Sequence, residues 1–250
     1  MRRFLGCMFF VIVSQAFAQE ASLQFDQANE LYRTGKFDKA VESYEQILHS
    51  GYDDPALYYN LGNAYFKLGK FPAAILNYER AKRLAPHDED VAYNLHLANL
   101  RIIDRIEPIP QLFLLEWWQM VVNLAPSHQW AVFIVIMTWI MVVCATLFWL
   151  VRSQVFQKIM FFAGLLVLAG TIVGYVAMIQ QMGKERNDQA AIVFSPSVTV
   201  KSSPDEMSTD LFILHEGVKL ELLDAVSYWR KIRLPDGKIG WLPVKDMQVI

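Results

Sequence analysis

Two stretches, Ala131–Val151 and Ile159–Ile179, each run 21 residues without a charged side chain, and nothing else in the chain restricts its fold so strongly. At a rise of about 1.5 Å per residue, either run is ~30 Å long as a helix, the thickness of a bilayer's hydrocarbon core. A backbone in lipid must satisfy its own polar groups, so each run is expected to be a helix. The connection between them holds Arg152 and Lys158 and no acid. A short basic loop stays on the cytoplasmic side. The reading is therefore a two-helix transmembrane hairpin, with spans at 130–151 and 159–180 and both flanks on the outer side. Trp130, Trp139 and Trp149 are spread along the first run. The absence of ionisable residues argues against a transporter or proton relay, which needs such groups at membrane depth. Gly170-x-x-x-Gly174 offers a place for close helix approach.

The N-terminus gives the same topology independently. Met1-Arg2-Arg3 precedes an uncharged segment, Phe4–Ser14, and then Ala16-Phe17-Ala18. This is the layout of a signal peptide over 1–18, cleaved after Ala18; the alternative is an uncleaved anchor, and both export the residues after it. Both soluble parts are therefore expected on the outer side of one membrane. The only cysteines, Cys7 and Cys144, lie in apolar runs, which excludes a disulfide framework and a cysteine zinc site. A net charge of -2, evenly spread, excludes a basic field for nucleic acid.

Between export signal and spans the sequence repeats itself. Residues 28–37, ANELYRTGKF, align with 62–71, GNAYFKLGKF, at an offset of 34, and the same offset takes Asn60-Leu61 to Asn94-Leu95. Small residues (Gly62, Ala74, Ala81) let paired helices approach, and large ones (Tyr65, Tyr78) fill the gaps between them. Gly35 and Gly69 are expected to close helices in the left-handed conformation, and Pro86 to end one. This pattern resembles the tetratricopeptide repeat and implies an α-helical solenoid over 19–107. Its expected parts are repeats at 21–54 and 55–88 and a capping helix at 89–106. The resemblance also implies a concave face that binds peptides or proteins. Its positions here are Phe25, Asn29, Tyr32 and Arg33, then Tyr59, Asn60, Asn63, Phe66 and Lys67, then Tyr93, Asn94, Leu97 and Arg101. An asparagine can donate and accept at once, which suits a peptide backbone; the alternative is that Asn60 and Asn94 serve helix–helix hydrogen bonds. Asn29 and Asn60 match the asparagines of the carboxylate-clamp subfamily, but its basic positions hold Phe25, Asp90 and Asn94, so chaperone-type acidic tails are not implied.

A Trp-rich junction, 108–128, contains Leu112-Phe113-Leu114-Leu115-Glu116-Trp117-Trp118. It suits a headgroup boundary or, alternatively, packs beneath the repeats. From Ala190 the periodicity changes to two. Val218–Leu222 alternates, and Trp229–Leu234 and Ile239–Leu242 flank Pro235-Asp236-Gly237, a hairpin signal. About five short strands in 188–250 predict a small all-β barrel. Val200–Pro204, Glu216-Gly217, Trp229 and Asp236–Leu242 resemble the bacterial SH3 family, with Lys201 where arginine is usual. That resemblance implies peptide or cell-wall binding, with Tyr228, Trp229 and Trp241 as surface positions; the alternative puts Trp229 and Trp241 in the core.

No HExxH, Gly-x-Ser-x-Gly or P-loop motif occurs, so no catalytic site, metal site or cofactor is expected. The order of parts (signal, repeats, junction, two spans, SH3-like end) resembles the tetratricopeptide, BatE-like branch of the bacterial Bat aerotolerance group. It implies a multi-domain membrane scaffold working with other Bat membrane proteins and a MoxR-type ATPase in envelope stress. The alternative reading is a peptidoglycan-binding or sensing module anchored in the inner membrane.

Overall fold

The computed structural model describes residues 21–107, 109–110, 112–187 and 189–250. The expected signal segment, 1–18, lies outside the described residues. The chain divides into two compact units, one holding the segments on either side of the other.

The first unit begins with helices α1 (21–33), α2 (Phe37–His49), α3 (Pro55–Lys67), α4 (Phe71–Leu84) and α5 (Glu89–Asn99). Asp54 opens α3 by accepting from Ala56 N at 2.8 Å, with Pro55 in the first turn where no donor is lost. Asp88 opens α5 in the same way, through Asp90 N and Val91 N. Gly35 and Gly69 end α1 and α3 at φ of +75° and +74°. Beyond them Lys36 N bonds back to Leu31 O and Lys70 N to Tyr65 O, so orphan carbonyls are satisfied as in a Schellman cap. Gly62 is required by packing instead: a Cβ there would lie 2.7 Å from the Tyr78 ring. The helix expected over 89–106 stops at Asn99. Beyond it Ile102 and Ile106 turn to pack on the β-sheet core, which releases this segment from the solenoid.

The C-terminal part is an antiparallel sheet of seven strands: β1 (Ala190–Val193), β2 (Ser197–Lys201), β3 (Asp210–His215), β4 (Lys219–Val226), β5 (Trp229–Arg233), β6 (Ile239–Pro243) and β7 (Met247–Val249). The order is β3-β2-β6-β5-β4-β1-β7. No ladder joins β3 to β7 among the described residues, so the sheet is open where a barrel was expected, and it has two strands more than the five anticipated. The Asp-Gly hairpin is present: β5 and β6 pair from Arg233↔Ile239, and Gly237 turns between them at φ +84°. Ala191, Val193, Val200, Leu220, Ile232 and Leu242 centre its core.

Helices and sheet share an interface because β1 is buried on both faces. Ala191 and Val193 point into the sheet core, while Ile192 joins Ile75, Leu76 and Tyr78 in the core of the second helix pair. Polar contacts frame this seam. Lys219 Nζ meets Glu79 Oε2 at 2.8 Å, and Arg80 and Arg83 of α4 donate to the main-chain oxygens of Val249 and Ile250 at 2.9 and 2.7 Å. Asp104 accepts from His215 N at 2.7 Å and lies 3.0 Å from His215 Nδ1. Gly217, at φ +91°, lets Ile102 close in; a Cβ there would be 2.3 Å from Ile102 Cγ2.

The second unit holds α6 (Phe113–Val122), α7 (Ser127–Leu150) and α8 (Gln154–Asn187). Ser127–Leu150 and Gln154–Lys184 are long and apolar enough to cross a membrane, with mean hydropathies of 2.6 and 2.3. Val151–Ser153 is the whole connection, so Lys158 sits on α8 rather than in the loop. The two helices pack together, and Gly174 fits against Phe133, where a Cβ would be 2.9 Å from the ring; Gly170 has nothing within 4 Å of its Cβ position. The motif therefore contributes one contact rather than two.

Candidate functional site

The 34-residue sequence offset becomes a repeated cluster of side chains. In the first copy, Tyr44 on α2 donates to Asn29 Oδ1 at 2.7 Å, and Asn60 on α3 donates to the same oxygen at 2.9 Å. In the second, Tyr78 on α4 donates to Asn63 Oδ1 at 2.7 Å, and Asn94 on α5 donates to it at 2.9 Å. Each asparagine carbonyl on one A helix thus joins its own B helix to the next A helix. The rings repeat too. Phe25–Tyr44 and Tyr59–Tyr78 stand 6.0 and 6.1 Å apart, and Tyr32–Phe37 and Phe66–Phe71 meet edge to face at 5.3 and 5.6 Å. The copies differ at two hydroxyls: Tyr32 carries one where Phe66 has none, and Tyr59 carries one where Phe25 has none, to which Asn94 Nδ2 donates at 2.9 Å.

These bonds are desolvated. Burial, followed by Tyr32, pushes the Tyr44 phenol up to about 12 from its ordinary 10.0. Burial, followed by Tyr59, pushes Tyr78 up as well. Both hydroxyls remain neutral donors at physiological pH, which is what a link to an asparagine carbonyl requires. Tyr65 is raised by burial and by its bond to Glu45.

Beside the second cluster lies a cavity of about 310 Å³. Tyr32, Tyr59, Asn63, Phe66, Lys67, Asn94 and Leu97, all anticipated from the repeat, line it together with Tyr78, a residue expected only as filling. Its lining combines aromatic rings, the bonded Asn63–Asn94 pair and the Lys67 cation. Among the described residues, no hydrogen bond uses Asn63 Nδ2 or Asn94 Oδ1, so one donor and one acceptor remain for a bound backbone.

The other anticipated positions lie elsewhere. Phe25, Asn29 and Asn60 belong to the first cluster, where the asparagines bond to each other and hold helices together. Arg33 is exposed and pairs with Glu30 on its own helix at 3.4 Å. Tyr93 is exposed outside the cavity, and Arg101 falls beyond the end of α5. On the sheet, Trp229 is 3% exposed and belongs to the interior, which removes it from the surface set. Tyr228 is 56% exposed at the tip of the β4–β5 hairpin, and Trp241 is half-buried. The residue before that tip tyrosine, Ser227, takes φ +54°, the left-handed region that favours glycine. Among the described residues, no three metal-ligating side chains converge.

Residues 25–89 match the tetratricopeptide-repeat family. No curated protein matches the chain. Among solved structures, an NlpC/P60 family protein from Bacillus cereus ATCC 10987 aligns at 22% identity and a TM-score of 0.22, over 28% of this chain and 23% of its own. That overlap is too limited to bear on fold or function, and the chain spans less than a quarter of that relative's length.

Proposed function

We propose that this protein is a non-enzymatic, membrane-anchored scaffold whose repeat groove holds an extended segment of a partner protein. Tetratricopeptide repeats bind protein partners, and the observation that carries the proposal is the cavity beside Asn63 and Asn94. It combines aromatic walls, a free backbone-type donor and acceptor, and the Lys67 cation. A segment with an acidic residue near an apolar one fits that lining.

Anchoring is supported by chain connectivity. Residues before and after the apolar helices belong to one compact unit, so a chain entering a membrane after Ile106 must leave on the same side before Ala190. Two helices are the least that satisfies this. Arg152 in their connection and Lys158 near the start of α8 favour the cytoplasmic side for the loop, and thus the periplasmic side of a bacterial inner membrane for the first unit. The order of parts supports a place beside Bat-type membrane proteins. The open seven-stranded sheet occupies the C-terminal place that an SH3-like domain has in that order.

Photo-cross-linking in native membranes tests the groove. A photoreactive residue at Lys67 or Leu97 gives a discrete adduct, and Lys67→Glu in a chain labelled at Leu97 abolishes it. The same residue at Lys39, on the exposed side of α2, gives none. Equal labelling from Lys39 and Lys67 would refute the groove as the binding face. A reporter fused after Ile250 that is active only in the cytosol would refute the topology.

A further inference from the structure

Helix α6 has three faces, and only two are accounted for by the protein. Trp118, Val121 and Val122, with Ala125 in the turn that follows, pack with Trp130 and Ala177 of α7 and α8. Glu116, Gln119 and Asn123 form a second, polar stripe. Phe113, Trp117 and Met120 recur at intervals of four and three, and Leu124 follows in the turn after α6; all four are exposed, Trp117 at 63%. A helix turns about 100° per residue, so the three helical residues lie within a narrow arc and make a continuous apolar stripe, which Leu124 extends.

The bonds that fix α6 also fix its level along α8. Trp118 Nε1 donates to Gln180 Oε1 at 2.7 Å, and Lys184 Nζ donates to Asn123 Oδ1 at 2.9 Å and to Gln119. Gln180 is the first polar residue after the uncharged run Ile159–Ile179, and Lys184 lies one turn further. Helix α6 is therefore held where the hydrocarbon-matched length of α8 ends. Resting on the membrane-anchored reading, we propose that α6 is an in-plane interfacial helix, with Phe113, Trp117, Met120 and Leu124 seated among the lipid headgroups and upper acyl chains of the outer leaflet. The occupant is lipid rather than protein for two reasons: the stripe sits at the level where α8 turns polar, and its tryptophan is of the type that favours this boundary.

The test is spin-label accessibility on the full chain in vesicles of phosphatidylethanolamine and phosphatidylglycerol. The background carries Cys7→Ser and Cys144→Ser. Labels go on Trp117→Cys and Met120→Cys for the stripe, Glu116→Cys for the polar face, Leu166→Cys for the middle of α8 and Tyr228→Cys for water. The ratio of oxygen to aqueous-nickel accessibility rises several-fold at 117 and 120 over the value at 228, stays below that at 166, and remains low at 116. Ratios at 117 and 120 equal to that at 228 overturn the proposal, and so does protection from both reagents, the sign of a protein cover. A water-like value at 166 would instead refute the membrane reading on which it rests.

Discussion

Asn63 carries more than its place in the groove. Its Oδ1 is the shared acceptor for Tyr78 and Asn94, and Tyr78 is 1% exposed. Removing the acceptor strands a buried hydroxyl, which costs about 1–3 kcal/mol. Asn63→Ala is therefore expected to lower the thermal midpoint of the helical part, whereas Lys67→Ala, at an exposed position, changes stability by no more than about 0.5 kcal/mol. Thermal circular dichroism separates them, and only the lysine variant is a clean probe of binding. The tyrosines make a second prediction. Tyr44 titrates near 10.0 when unfolded and near 12 when folded, because burial disfavours its phenolate. Below the unfolded value its contribution to stability is complete. As pH rises through the folded value the unfolded chain has ionised first, and the contribution is lost. Thermal stability is thus expected to fall between about pH 10 and 12, and the fall should be shallower in Tyr44→Phe, although that variant starts lower for want of its bond to Asn29. An unchanged slope would show that other groups govern the alkaline transition.

Among the elements, the A–B helix pairs depend on closeness that a single methyl group would spoil. Gly62→Ala would place its Cβ 2.7 Å from the Tyr78 ring, and overpacking of this kind costs about 1–3 kcal/mol. Ser227→Gly acts in the opposite direction. It relieves a left-handed serine in a two-residue hairpin and is expected to stabilise the sheet by roughly 1 kcal/mol, read as a raised denaturation midpoint. The helical repeats were legible in the sequence because their spacing and glycine caps are local properties. The Asp-Gly hairpin was legible for the same reason. Strand β1 was not recognisable as an interface, because all four of its residues are buried and no alternation betrays which face meets what. Strand β7 is three residues long, too short to carry a period. Trp229 and Tyr228 are neighbours that share an aromatic signal, and only the direction of the pleat decides that one is core and the other surface. Of the anticipated concave-face residues, Phe25, Asn29, Arg33, Asn60, Tyr93 and Arg101 do not line the cavity, since helix ends, ion pairs and helix–helix bonds divert them.

At the scale of the whole molecule, the seam between α4 and β1 decides how the chain responds to damage. Ile192 is fully buried, yet it serves the helical core rather than that of its own sheet. Deleting such a side chain typically costs about 2–5 kcal/mol, and here the loss falls on both sides of the seam. The flanking contacts of Arg80, Arg83, Glu79 and Asp104 reach from helical residues to main-chain and side-chain groups of the sheet, so neither part is complete alone. Ile192→Ala is therefore expected to raise hydrogen exchange in α4 and in β1 together, by similar factors, in the full chain held in a bilayer. Sites that open in one cooperative event exchange with a common free energy. If the variant loosened β1 and β4 while α4 kept its protection, helices and sheet would be two independently stable modules that merely touch. Joint loss would mean that a partner seated in the groove, whose wall includes Tyr78 from that same α4 core, also stabilises the sheet. Occupancy of one surface would then be felt at the other through shared packing.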